Sequence, residues 1–249
     1  MRQGMLAAFL AGTVAAFSGC AAPRAIIGPL GKLQVLDPAA MSSLESLRDG
    51  WVIEGSGDIA RDHLSVVYME NVSALRVVNS IEGFFIVRRT QAMLLATPFL
   101  NWAWNMEAPP TGVHPVRLVI GFHSSKTTGG GWRNLSFFRL FGSMPNGWQW
   151  PTLPRHDRLL AIVWGESALQ RGKLSRPSGN RQDAPRYTAR GGRENAGKWW
   201  EEAVDLSRLY ASVWPEDDLS RVRVMFIGIA AADGYPPAAA HVSKIMLTR

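Results

Sequence analysis

Pro98-Phe99-Leu100-Asn101-Trp102-Ala103-Trp104-Asn105-Met106-Glu107 sorts its side chains by strict alternation. Successive residues of a strand point to opposite faces. Leu100, Trp102, Trp104 and Met106 therefore make one large apolar face, while Phe99, Asn101, Ala103 and Asn105 make a mixed one. This is the pattern of a half-buried β-strand. Two tryptophans on its inner side would each bury roughly 150–250 Å², so the core must be built around them.

Working outward, short β-branched or aromatic runs bounded by turn residues recur at 51–56, 64–68, 74–79, 83–88, 115–123, 159–164, 222–230 and 242–247. Helical signals are few. Asp37-Pro38 before 39–47, with Gly50 after it, reads as a short helix with a first-turn proline and a terminal glycine. Asp205 caps a second at 206–213, with Pro215 beyond its end. A third short helix is predicted at 135–141, inside the irregular stretch 124–158, and 198–205 leads into the helix at 206. Strands at this spacing predict an all-β domain, an antiparallel β-sandwich or jelly roll.

A chain of 249 residues with 47% hydrophobic and 19% charged content fits one globular domain. Residues 1–19 read as a secretory signal, with Arg2 ahead of an apolar run at 5–17. A helix of that length spans about 20 Å, short of the roughly 30 Å hydrocarbon core. Small residues before Cys20, the single cysteine, resemble a bacterial lipobox, which makes Cys20 the lipid-attachment site. No intramolecular disulfide is possible. Residues 20–36 read as a tether and 37–249 as the domain, exported, lipid-anchored and held at the outer membrane facing the periplasm. The formal charge of +7 points to anionic partners, lipid or acidic glycan. Export argues against nucleic acid.

The order of motifs resembles the bacterial domain of unknown function 3047. It runs from Leu100-x-Trp102-x-Trp104 through the strand carrying Arg117 and Phe122, a Leu-rich strand ending at Trp164, and Arg190 ahead of Gly197-Lys198-Trp199. Asp205 and a late apolar strand leading to Ile245 complete it. The resemblance covers residues 48–248. It implies a jelly roll like those of carbohydrate-binding modules. Where that family carries a run of acids and Asn/Thr, this chain has Asp233 alone, and Lys244 stands where an acid is common.

Chemistry is thinly signposted. Gly165-Glu166-Ser167-Ala168-Leu169 lacks the second glycine of a nucleophile elbow. His63, His114, His123, His156 and His241 are scattered without metal-ligand spacing, so neither metal nor cofactor is expected. A glycoside hydrolase would need two facing carboxylates, with candidates Glu166, Glu201, Glu202, Asp205 and Asp233. Glu201 and Glu202 read more simply as a solvated edge. Trp132, Trp148 and Trp150, in polar surroundings, could stack on a sugar face or fold back as a small satellite core. Seven Arg or Lys against one acid at 171–193 make a basic loop in which Arg186 and Arg190 could grip anionic groups. With Trp199 and Asp233, these residues form the expected binding set of a non-catalytic glycan or anion binder. A hydrolase and a structural partner of another outer-membrane protein are the alternatives.

Overall fold

A computed structural model describes residues 28, 30–48, 50–55, 62–109, 112–124, 153–176, 184–234 and 236–249. Two β-sheets pack face to face. The first holds β1 (Leu33–Leu36), β3 (Leu64–Met69), β4 (Val72–Val78), β6 (Phe99–Met106), β11 (Trp199–Asp205) and β13 (Ala239–Thr248). Its order is β11-β6-β13-β4-β3, with β1 also paired to β13. The second holds β2 (Trp51–Glu54), β5 (Phe84–Met93), β7 (Val116–His123), β8 (Arg158–Gly165), β9 (Leu174–Ser175), β10 (Arg186–Gly191) and β12 (Arg223–Ala231), ordered β2-β5-β12-β7-β8-β10-β9. Pairing is antiparallel except between β8 and β10, which run parallel. Among the described residues the α-helices are a single turn, α1 (Glu45–Arg48), and α2 (Leu206–Val213).

The alternation in β6 decides which side is inside. Leu100, Trp102, Trp104 and Met106 are buried in the main core cluster. Trp104 meets Trp164 of the opposite sheet edge-on at 5.8 Å, and Trp102 meets Trp104 likewise at 5.3 Å. Offset and edge-on ring pairs of this kind are favoured over flat stacking by the ring quadrupole. The second sheet is apolar on both faces. Phe85, Val87, Val119, Leu159 and Phe226 form a separate buried cluster on its outer side.

The helix α2 forms as the sequence predicts. Asp205 Oδ1 accepts from the Arg208 N–H at 3.0 Å, and buried Leu206 and Tyr210 face the core. Tyr210 donates to Asp217 Oδ2 at 2.7 Å, and Arg158 donates to the same oxygen at 3.1 Å.

Three expectations are corrected. Leu33–Leu36, assigned to the tether, is a strand whose Leu33, Val35 and Leu36 are buried. The basic stretch 171–193 is not a continuous loop, because β9 and most of its described C-terminal part, β10, join the second sheet. The predicted helix at 39–47 is a 3-10 turn at Pro38–Ala40 followed by α1, while residues 199–205, leading into α2, form β11. The predicted helix at 135–141 lies outside the described residues.

Candidate functional site

The register of the first sheet assembles its outer face row by row, because directly opposed residues of an antiparallel pair share a side. Trp199 opposes Asn105, Asn105 opposes His241, His241 opposes Arg76, and Arg76 opposes Ser65. The next row runs Glu201, Ala103, Ser243, and the one after it Ala203, Asn101, Met246. The mixed face of β6 thus runs through the middle of a polar surface flanked by one indole. A groove of about 360 Å³ opens there, lined by Asn101, Ala103, Glu201, Ala203, Lys244 and Met246.

Local chain geometry shapes this groove. Between Ser243 and Met246 the register of β13 against β6 slips, and Lys244 adopts φ 50°. A bulge of this kind re-aims a side chain, and it leaves the exposed Lys244 on the groove wall. Ala103 and Ser243 keep the adjoining row low. Asn105, His241 and Ser243 are buried, whereas Glu201 and Ala203 are exposed.

Two polar atoms on the first row lack partners: the buried Nδ1 of His241 and the buried indole Nε1 of Trp199. Buried polar groups are ordinarily hydrogen-bonded, and the same condition recurs at the core rings of Trp102, Trp104, His114 and Trp164. Burial lowers the His241 pKa. The neighbouring Glu107 carboxylate and a backbone hydrogen bond at Asn105 oppose that fall and Arg76 adds to it. The ring is therefore neutral near pH 7, with one nitrogen able to accept and the other to donate.

Glu107 and Glu201 stand apart on the sheet. Glu107 Oε2 accepts from the Ala239 N–H at 3.1 Å, which holds it on the β13 side of β6, while Glu201 stands on β11, on the other side. Four residues along β6 and one strand spacing separate them, roughly 14 Å in sheet geometry against the ~5–9.5 Å that paired catalysis uses. Glu202 points inward. Its Oε1 accepts from Arg190 Nε at 2.6 Å and its Oε2 from Arg171 at 3.5 Å, so it is not the solvated edge expected of it. Asp205 is occupied as the α2 cap. Among the described residues, no group of three or more His, Cys, Asp or Glu is placed to hold a metal ion.

The expected binding set is dispersed. Trp199 lies on the outer face described above. Arg190 lies between the sheets, its guanidinium 3.6 Å from the ring centre of Trp200 and bonded to Glu202. Arg186 is half-buried at the start of β10, opposite Ala161, and Asp233 is exposed beyond β12. Trp132, Trp148, Trp150 and Cys20 lie outside the described residues. Asn105, His241, Ser243 and Arg76 were missed, although alternation in 239–243, in β6 and in β4 places each opposite an apolar face. What the sequence lacks is the strand order that sets them side by side.

No known protein family and no characterised protein matches the chain by sequence. By structure it is similar to a family 11 carbohydrate-binding module from Clostridium thermocellum in complex with a β-1,3-1,4-mixed-linked tetrasaccharide. The TM-score is 0.39 at 9% identity, over 87% of this chain and 95% of that one. It is similar to a family 12 xyloglucanase from Bacillus licheniformis, with TM-score 0.38 at 9% identity over 92% and 97% of the two chains. A third likeness is to TmCBM27, a mannan-recognising carbohydrate-binding module, with TM-score 0.34 at 10% identity over 88% and 98%. The sandwich assignment stands on the sheet order and register of this chain.

Proposed function

We propose that the protein binds a glycan, without cleaving it, on the outer face of the β11-β6-β13-β4-β3 sheet. The observation that carries this reading is the single row on which the half-buried indole of Trp199 and the unbonded Nδ1 of buried His241 flank Asn105, beside an open groove. An indole offers a flat apolar surface for the C–H face of a sugar ring. Exposed Glu201 and Lys244 and half-buried Asn101, which line the groove, offer the polar groups that fix hydroxyls, with the buried imidazole and amide lying beside them. The separated carboxylates favour binding over hydrolysis. We extend the proposal to place: Cys20 anchors the chain to a lipid, and the bound glycan belongs to the cell envelope. The motif order resembling domain of unknown function 3047 is part of the same proposal.

The test is binding to immobilised neutral and acidic polysaccharides, comparing the wild type with Trp199→Ala and His241→Ala. Retention on one polysaccharide class, weakened about tenfold or more by Trp199→Ala with thermal stability unchanged, is expected. Equal retention of the wild type and both variants would place any binding elsewhere.

A further inference from the structure

A second cavity, of about 670 Å³, lies on the other sheet, lined by Gln91, Met93, His123, Ser220, Arg221 and Arg223 together with Met225. The β5, β12 and β7 strands bring one row of it together, since Arg223 opposes both Met93 and His123. Val224, Ala92 and Phe122, one residue along each strand, belong to the main core, so this row faces outward. The turn ahead of β12, Leu219–Arg221, adds Ser220 and Arg221 from above. Chain geometry is again irregular at the wall. Between the Ala92–Val224 and Arg89–Phe226 pairs, β5 carries one more residue than β12, and Gln91 takes φ 62°.

The charge of this cavity is one-sided. Among the described residues, two guanidinium groups, an imidazole, an amide and a hydroxyl line it, and no carboxylate does. Asp157 stands behind His123, with Oδ2 3.4 Å from Nδ1, and is held by the N–H and hydroxyl of Ser124 at 2.9–3.1 Å. That contact leaves Nε2 as the imidazole nitrogen not facing Asp157. The Asp218 carboxylate lies 3.4 Å from Arg221 on an exposed part of the surface, where solvent screens the pair.

We propose that this cavity binds a phosphoryl group carried on an organic moiety. Arginine forks suit tetrahedral oxyanions through paired, charge-assisted hydrogen bonds, and a dianion is matched by two of them better than a single carboxylate would be. The space far exceeds a lone phosphate, and Met93 and Met225 give the remainder an apolar wall. The site is independent of the glycan groove, from which it is separated by the thickness of the sandwich.

The experiment is calorimetric titration of the full chain with inorganic phosphate and a hexose 6-phosphate, and co-sedimentation with phosphatidylglycerol vesicles against phosphatidylcholine vesicles. Each is repeated with Arg221→Gln/Arg223→Gln. Saturable binding of the hexose phosphate, tighter than inorganic phosphate and weakened at least about tenfold in the double variant, supports the proposal with a soluble ligand. Sedimentation that requires phosphatidylglycerol and both arginines supports it with a lipid headgroup. Absence of binding in every arm, or binding that the double variant retains, overturns it. Polysaccharide retention through Trp199 is scored separately, so failure of one site is not failure of the other.

Discussion

At the scale of single residues, two positions carry consequences that can be measured. His114 is fully buried, its Nδ1 accepts from the Val116 N–H at 3.0 Å, and its Nε2 has no partner. Burial holds its pKa down to about 4, against backbone contacts that raise it and with the Arg117 charge adding to the fall. The unfolded chain therefore binds this proton more readily than the folded one. Stability from the neutral ring is complete above about pH 6.5 and is lost as the pH falls toward 4, by about 3 kcal/mol. Urea unfolding at pH 7.5 and 4.5 should show that loss, and His114→Asn, which keeps an acceptor near Nδ1, should remove most of the difference. An unchanged difference would mean that other groups set the acid sensitivity. The second position is Gly228, where an added Cβ would lie 2.0 Å from the Ile86 carbonyl and 2.6 Å from the Val87 Cα. Both are backbone atoms of the paired strand and cannot step aside. Gly228→Ala should cost about 1–3 kcal/mol in denaturant unfolding, and a neutral result would show that β5 and β12 can part locally.

At the scale of elements, arginines reach between the sheets near opposite edges. Arg88 of β5 donates to the Val35 carbonyl of β1 at 2.9 Å, and Arg190 of β10 bonds Glu202 of β11. The first contact explains why β1 belongs to the domain although 20–36 reads as a tether. Its four residues alternate too briefly to give a period, and its three buried apolar side chains become meaningful only once β13 is alongside. Those side chains contribute about 1.5–3 kcal/mol each. A chain beginning at Asp37 should therefore melt at least about 10 °C below one beginning at Gly28, and equal melting points would contradict the strand's role. The second contact is a buried ion pair. Glu202→Leu alone strands the Arg190 charge and should cost about 3–5 kcal/mol, whereas Arg190→Met with Glu202→Leu should recover most of that. A double variant as unstable as the single one would show that the pair does not act as a unit. Here sequence reasoning misjudged Glu202 because an acidic doublet beside aromatic residues looks solvated until β11 is seen to pair with β6.

At the scale of the molecule, the fold was legible because one strand declared itself. The period of two in β6, the short apolar runs and the scarcity of helical signals together specify a two-sheet sandwich. The site was legible in part. Trp199 was singled out, but its partners come from strands separated from it by roughly a hundred residues in one direction and forty in the other, and only the sheet order joins them. Charge was the poorer guide. The basic stretch that promised anion binding spends Arg190 on the core, while the arginine-lined cavity draws on Arg221 and Arg223, which no local run advertised.

Glycan binding on the outer face around Trp199, Asn105 and His241 can be read residue by residue by amide shift mapping. Isotope-labelled protein would be titrated in turn with soluble oligosaccharides of the neutral and acidic classes. Saturable shifts centred on Asn105, Trp199, Glu201, His241 and Ser243 are expected, with the Trp199 indole N–H moving most. Shifts confined to the other sheet, or none with any oligosaccharide class, would contradict it.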